Sequence, residues 1–156
     1  MYKKILVPVD GSELAECVLP HVASIAKGCG AQTIVFVRAI EPVQMMADAD
    51  GGGSFTNEDI KDIAKETRDN TENYLSQLVE RTKHYGVNIQ SEGLFGKAAE
   101  VIADYATNNE VDLIVISTHG RSGVSRWVWG SVANRILRSA CVPVMMIRAP
   151  GCIPGI

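Results

Sequence analysis

A chain of 156 residues has room for one hydrophobic core and gives no reason to expect a second independent domain. Its 15 basic residues are scattered and its formal charge is −3, which removes the electrostatic footprint of a nucleic-acid or anionic-membrane binder. Cys17, Cys29, Cys141 and Cys152 have neither C-x-x-C pairing nor metal spacing with the three histidines, and the apolar run Ile5 to Val9 is too short for a signal or a membrane span, so reduced thiols and a cytoplasmic location are expected.

Lys4 to Asp10 is a nearly continuous apolar run, the pattern of a parallel strand covered on both faces. Ser12 caps a predicted helix whose apolar positions Leu14, Ala15, Val18, Leu19, Val22, Ile25 and Ala26 recur at spacings of three and four up to Gly28 and Gly30. Pro20 lies inside it, and because proline removes a donor and crowds residue 16, a bend is expected there. Thr33 to Ile40 is the second strand, stopped by Glu41-Pro42. Residues 43–56, with Gly51-Gly52-Gly53-Ser54, read as a flexible surface insertion that has little to offset its ordering entropy.

Thr56 and Asp59 resemble a capping box opening a long charged helix, with Ile60, Ile63, Ala64, Tyr74, Leu75, Leu78 and Val79 on its buried face and Gly86 at its end. Val87 to Leu94 is the third strand. Gly96 and Lys97 open a helix with the stripe Ala98, Ala99, Val101, Ile102, Tyr105 and Ala106, closed by Asn108-Asn109. Asp112 to Ser117 is the fourth strand, followed by a glycine- and serine-rich loop, a helix from about Ser131 to Arg138 and a last strand, Val142 to Ile147. Strands alternating with helices through short crossovers predict an α/β fold: an open, doubly wound parallel sheet of five strands with helices on both faces.

In such a sheet ligands collect outside the carboxyl ends of the strands, where the strand order reverses. After strand one, Pro8-Val9-Asp10-Gly11-Ser12 puts a carboxylate beside a helix amino terminus, although the same composition suits an ordinary strand-to-helix turn. The segment from Ser117 to Ser131 carries more. Gly120, Gly123 and Gly130 let backbone amides approach an anion, the hydroxyls of Ser122 and Ser131 donate, and the following helix aims its N–H groups the same way, an arrangement suited to a polyphosphate. His119 reads either as a phosphate contact or as a loop hydrogen-bonder, and Arg126 either as added positive potential, like Arg121, or as a solvated loop residue. Trp127 and Trp129 read as cover for the sheet or for a partner. Gly93-Leu94-Phe95-Gly96-Lys97 has the wrong spacing for a P-loop and no Ser or Thr after the lysine.

Gly120, nine residues, then Gly130-Ser131 resembles the nucleotide motif of the universal stress protein family, and the likeness extends to Lys3 through Ser12 and to Val142-Pro143-Val144. The resemblance implies strand order 3-2-1-4-5 in an adenine-nucleotide alpha-hydrolase-like fold, a single domain over 1–150 with a tail at 151–156, and ATP with Mg²⁺ as ligand. By the same likeness Gly120, Arg121, Ser122, Gly130, Ser131 and Val132 hold phosphates and ribose, with Ser117, Thr118, His119 and Gly123 in the same binding segment. Asp10 faces the triphosphate through Mg²⁺, and Pro8, Val9 and Ala39 flank the base. Aligning Phe36 to Ile40 with the family's Leu-Leu-His-Val-Val gives Ala39; a register one residue off gives Arg38.

The family's nucleotide-binding subgroup has glycine where this chain has Ser117, which keeps open a member that binds no nucleotide and acts through dimer or partner contacts. No general base stands in a good position, so slow hydrolysis at most is expected. A homodimer through Val142–Arg148 is expected to cover the last strand's apolar edge. An adenylating enzyme needs a Ser-Gly-Gly-x-Asp loop after strand one, and a receiver domain needs an acidic pair there and an Asp after strand three; neither pattern is present.

Overall fold

The computed structural model describes residues 1–42, 56–118 and 130–148. Five strands, β1 (Lys4–Pro8), β2 (Thr33–Ile40), β3 (Asn88–Phe95), β4 (Leu113–Ser117) and β5 (Val144–Ile147), form one parallel sheet in the order β3-β2-β1-β4-β5. Lys4 pairs with Thr33, Ile5 with Leu113 and Ile114 with Val144. The order reverses between β1 and β4, so the crevice predicted for a ligand lies at their carboxyl ends.

Alternation along the strands divides the core between two faces. Ile5, Val7, Val9, Ile34, Phe36, Leu113 and Val115 pack on one face with Val18, Val22, Leu75 and Leu78. Leu6, Val35, Val37, Ile114 and Ile116 pack on the other with Ile102, Ala106, Ala133 and Ile136. Both faces of β1 and β4 are therefore covered, which is why their sequences are unbroken apolar runs. Each large side chain removed from water in this way contributes about 1.5–3 kcal/mol.

The expected kinked first helix is instead two helices, α1 (Glu13–Glu16) and α2 (Leu19–Cys29). Pro20 stands in the first turn of α2, where a missing N–H leaves no bond unmade, and residue 16, which it would have crowded, belongs to the other helix. Gly30, left-handed at φ 64°, ends α2. Helix α3 (Asn57–Thr82) starts on the expected capping box: Asp59 N donates to Thr56 Oγ1 at 3.2 Å and Thr56 N to Asp59 Oδ2 at 2.9 Å. A 3-10 turn, Lys83–Tyr85, follows, and Gly86 ends it.

The buried stripe of α3 is Thr71, Leu75, Leu78 and Thr82, whereas Ile60 and Ile63 are half-buried and Ala64 is exposed, against expectation. The helix, about 39 Å long, outruns the eight-residue strands beneath it, about 26 Å long. Thr71 already meets the carboxyl ends of β2 and β3 at Ile40 and Gly93, so the earlier turns project past the sheet.

Helices α4 (Ala98–Asn108) and α5 (Ser131–Ser139) cover the second face, with Ala103 adding to the predicted stripe of α4. The third strand begins and ends one residue later than expected, and the last begins at Val144 rather than Val142. Cys17, Cys29 and Cys141 are free thiols, and Cys152 lies outside the described residues, as do the insertion through residue 55 and the tail 151–156. Among the described residues no helix is long and apolar enough to cross a membrane, and no three metal-ligating side chains gather.

Candidate functional site

The carboxyl edge is extended by single bonds beyond the strands: Val9 N donates to Val37 O at 2.9 Å, and Thr118 N to Ile147 O at 2.8 Å. Thr118 is also the near end of the glycine-rich loop. Its carbonyl accepts from Gly130 N at 2.7 Å, so the two ends of that segment are pinned together at the mouth of the crevice. Gly130 then begins α5, where its carbonyl accepts from Asn134 N at 2.9 Å. No side chain caps the helix, so its first N–H groups keep the anion-binding character of a helix start.

Asp10 is oriented by its own turn. Ser12 donates to Asp10 Oδ1 through both its backbone N, at 2.9 Å, and its Oγ, at 2.6 Å, while Ser12 Oγ accepts from Ala15 N to cap α1. The turn requires Gly11, which has φ +89°. The Arg38 guanidinium lies 3.5 Å from where a Gly11 side chain would begin and stacks on Tyr74, 5.4 Å from the ring centre. Tyr74 OH in turn donates to Glu16 Oε1 at 3.0 Å, and Arg81 pairs with Glu16 Oε2 at 2.8 Å. Burial first, and the Glu16 charge second, push the Tyr74 hydroxyl well above its ordinary pKa.

Alternation sorts the predicted residues. Pro8 continues the face of Leu6, Ala39 that of Val35 and Val37, and Thr118 that of Ile116, and this is the face that α5 covers with Ser131 and Val132 at its start. Pro8, Ala39 and Thr118 thus share a sheet face, and Ser131 and Val132 share the lining of one cleft. Val9 is not one of them as a side chain: it is 5% exposed in the opposite core, leaving only its backbone at the edge. Ser117 also turns to the opposite face, where Cys17 Sγ lies 3.6 Å from its Oγ. The two candidates of the register question face opposite ways: Arg38 lies over Tyr74, and Ala39 continues the face of Val35 and Val37. His119, Gly120, Arg121, Ser122 and Gly123, with Arg126, Trp127 and Trp129, lie outside the described residues.

A family model, that of the universal stress protein family, matches residues 1–148. The chain belongs to this family. Universal stress protein MJ0531 of Methanocaldococcus jannaschii is 31% identical over 151 residues, covering 96% of this chain and 84% of the relative. The solved structure of MJ0577, from the same organism, superposes with a TM-score of 0.82 at 22% identity, over 97% of this chain and 99% of that one. A universal stress protein from Archaeoglobus fulgidus, solved in complex with dAMP, is 30% identical with a TM-score of 0.59, over 94% and 98% of the two chains. More distant neighbours were solved with cAMP (19% identity, TM-score 0.64, 95% and 98% covered) and, from Arabidopsis thaliana, with AMP (17%, 0.63, 96% and 93%). The sheet order and the adenine-nucleotide alpha-hydrolase-like fold are those the sequence resemblance implied.

Two charged residues beside this candidate site have no ligand role by sequence, Lys97 being only a helix start and the end of a failed P-loop pattern. A cleft of about 390 Å³ opens between the starts of α4 and α5, and its lining includes Lys97 and Arg135 together with Ser131. No local motif marks them, because the cleft exists only where two helices far apart in sequence pack on one face.

Proposed function

We propose that the protein binds an adenine nucleotide, ATP with Mg²⁺, at the β1–β4 crevice from the α4–α5 side, and acts in the cytoplasm as a stress-response regulatory module with slow hydrolysis at most. The observation that carries this reading is the closure of the loop's ends, Gly130 N on Thr118 O, at an uncapped helix start, on the sheet face to which strand alternation assigns Pro8 and Ala39. The nucleotides held by solved relatives are of the same class. The donor set suits the metal: the Asp10 carboxylate is an oxygen ligand of the kind Mg²⁺ takes, and Ser12 fixes its orientation. Bound Mg²⁺ would screen the carboxylate from the phosphates. The remaining work is this chain's own, with Pro8 and Ala39 bordering the base and Gly120, Arg121, Ser122, Gly130, Ser131 and Val132 holding phosphates and ribose.

The alternative, a member that binds no nucleotide, rested on Ser117 replacing a family glycine. Its hydroxyl is directed to Cys17 on the far face, so it does not crowd the α5 side. Assembly follows from β5, an outer strand whose Val144, Met146 and Ile147 are half-buried and whose Met145 is exposed; the proposed homodimer pairs Val142–Arg148 of two copies. Equilibrium binding of a fluorescent ATP analogue tests the reading. Low-micromolar or tighter affinity with Mg²⁺, greatly weakened by Gly130→Val, is expected; unchanged binding in that variant would discard the loop.

A further inference from the structure

The cleft between α4 and α5 has a floor of small apolar side chains, Ala98, Ala99 and Val132. Lys97, immediately before α4, and Arg135, one turn into α5, line it as well, and Glu41 is the one acidic residue of the lining. Neither cation is committed to a carboxylate. Lys97 Nζ reaches Glu100 Oε1 only at 3.9 Å, with both side chains more than half exposed, and among the described residues no carboxylate lies within ion-pair distance of Arg135. The position of Lys97 also runs against local electrostatics. A helix start favours negative charge and an oxygen-bearing cap, yet the cap position of α4 holds a lysine that caps nothing. A cation at an uncapped helix start and a second at mid-helix, both lining one cleft, are accounted for by an anion that enters between them.

We propose that this cleft receives a second anionic group of the bound nucleotide, so that the preferred ligand is an adenine nucleotide with a phosphate apart from its 5′ chain, either on the ribose or bridging to a second nucleoside. The inference rests on the nucleotide reading above and deepens it. Ser131 and Val132 belong both to the proposed phosphate segment and to the cleft, so a ligand whose 5′-phosphates lie at the Thr118–Gly130 closure reaches the cleft without a break. The volume lies within the range of about 300–1,000 Å³ typical of small-molecule sites and exceeds what a lone phosphate fills. AMP, with its single phosphate at the Thr118–Gly130 closure, has nothing to set between Lys97 and Arg135.

Calorimetric titration of the full chain with AMP and with adenosine 3′,5′-bisphosphate tests this, with diadenosine tetraphosphate as a parallel arm that separates a ribose phosphate from a bridged second nucleoside. The bisphosphate or the dinucleotide is expected to bind about tenfold more tightly than AMP, with Lys97→Ala and Arg135→Ala each cutting that ratio about threefold and the double variant bringing it near one. Lys97→Arg is expected to keep it. Both side chains are exposed, so the variants leave the core intact. Equal affinity for all three ligands in the unaltered protein, or a ratio that survives the double variant, overturns the proposal while leaving nucleotide binding in place. Failure of every ligand to bind overturns the nucleotide reading and this inference with it.

Discussion

At the carboxyl edge the two faces of one sheet end in opposite ways. On the α1–α3 side the edge is filled by long polar side chains tied in series: Arg38 on Tyr74, Tyr74 on Glu16, and Glu16 on Arg81. On the α4–α5 side the corresponding residues are small, Ala39 from β2 and Ala98 and Ala99 from α4, and a cleft remains. Side-chain size at a few alternating positions thus decides which face of a symmetric-looking sheet keeps an open cleft. Glycine at 11 lets the sealed side close under the Asp10 turn, and glycine at 96 lets β3 enter α4 on the open side.

The largest effect is expected on the open side. Gly96 has φ +134°, and a methyl group there would begin 2.6 Å from Val101 Cγ1, so Gly96→Ala should cost about 2–4 kcal/mol in urea denaturation and weaken nucleotide binding through the displaced start of α4. A loss smaller than about 0.5 kcal/mol would show that this junction yields freely.

Tyr74→Phe probes the sealed side. Losing the bond to Glu16 should cost about 1–2 kcal/mol at neutral pH with nucleotide affinity unaltered. The Tyr74 hydroxyl has a raised folded pKa, so its contribution is complete below the unfolded value of 10.0 and is lost as pH climbs from there towards the folded value. Urea midpoints at pH 8 and pH 11 should therefore lie closer together in the variant than in the unaltered protein; parallel shifts would break the assignment.

Thr71→Val is the smallest change and has the opposite sign. Thr71 is 1% exposed between α3 and the ends of β2 and β3, and its Oγ1 has no hydrogen-bond partner. Replacing an unpaired buried hydroxyl by a methyl group of similar shape should stabilise by about 1 kcal/mol, and a destabilisation would mean that the hydroxyl is hydrogen-bonded in solution.

What could be read from sequence was local. Thr33–Ile40 emerged with the predicted bounds because β-branched composition and Glu41-Pro42 specify it, and the start of α3 because Thr56 and Asp59 satisfy each other across three residues. The break at Cys17–Val18 was misread as a bend because a proline inside a periodic pattern and one in a first turn leave the same signature in sequence. The over-long apolar stripe of α3 had another cause: periodicity states which face is apolar, not how far the sheet beneath it extends. At the site, Asp10, Thr118 and Ser131 were legible because they follow strands or open a helix. Seeing that Ala39 and Arg38 face opposite ways needed the strand's register, and Lys97 and Arg135 needed the packing of α4 beside α5.

The most direct test is to titrate isotopically labelled protein with MgATP and follow its amide resonances. The account predicts saturable shifts at Ala39, Ala99, Ser131 and Val132 with Tyr74 and Leu78 left in place. Shifts centred on Tyr74 and α3, or none at millimolar nucleotide, would contradict it.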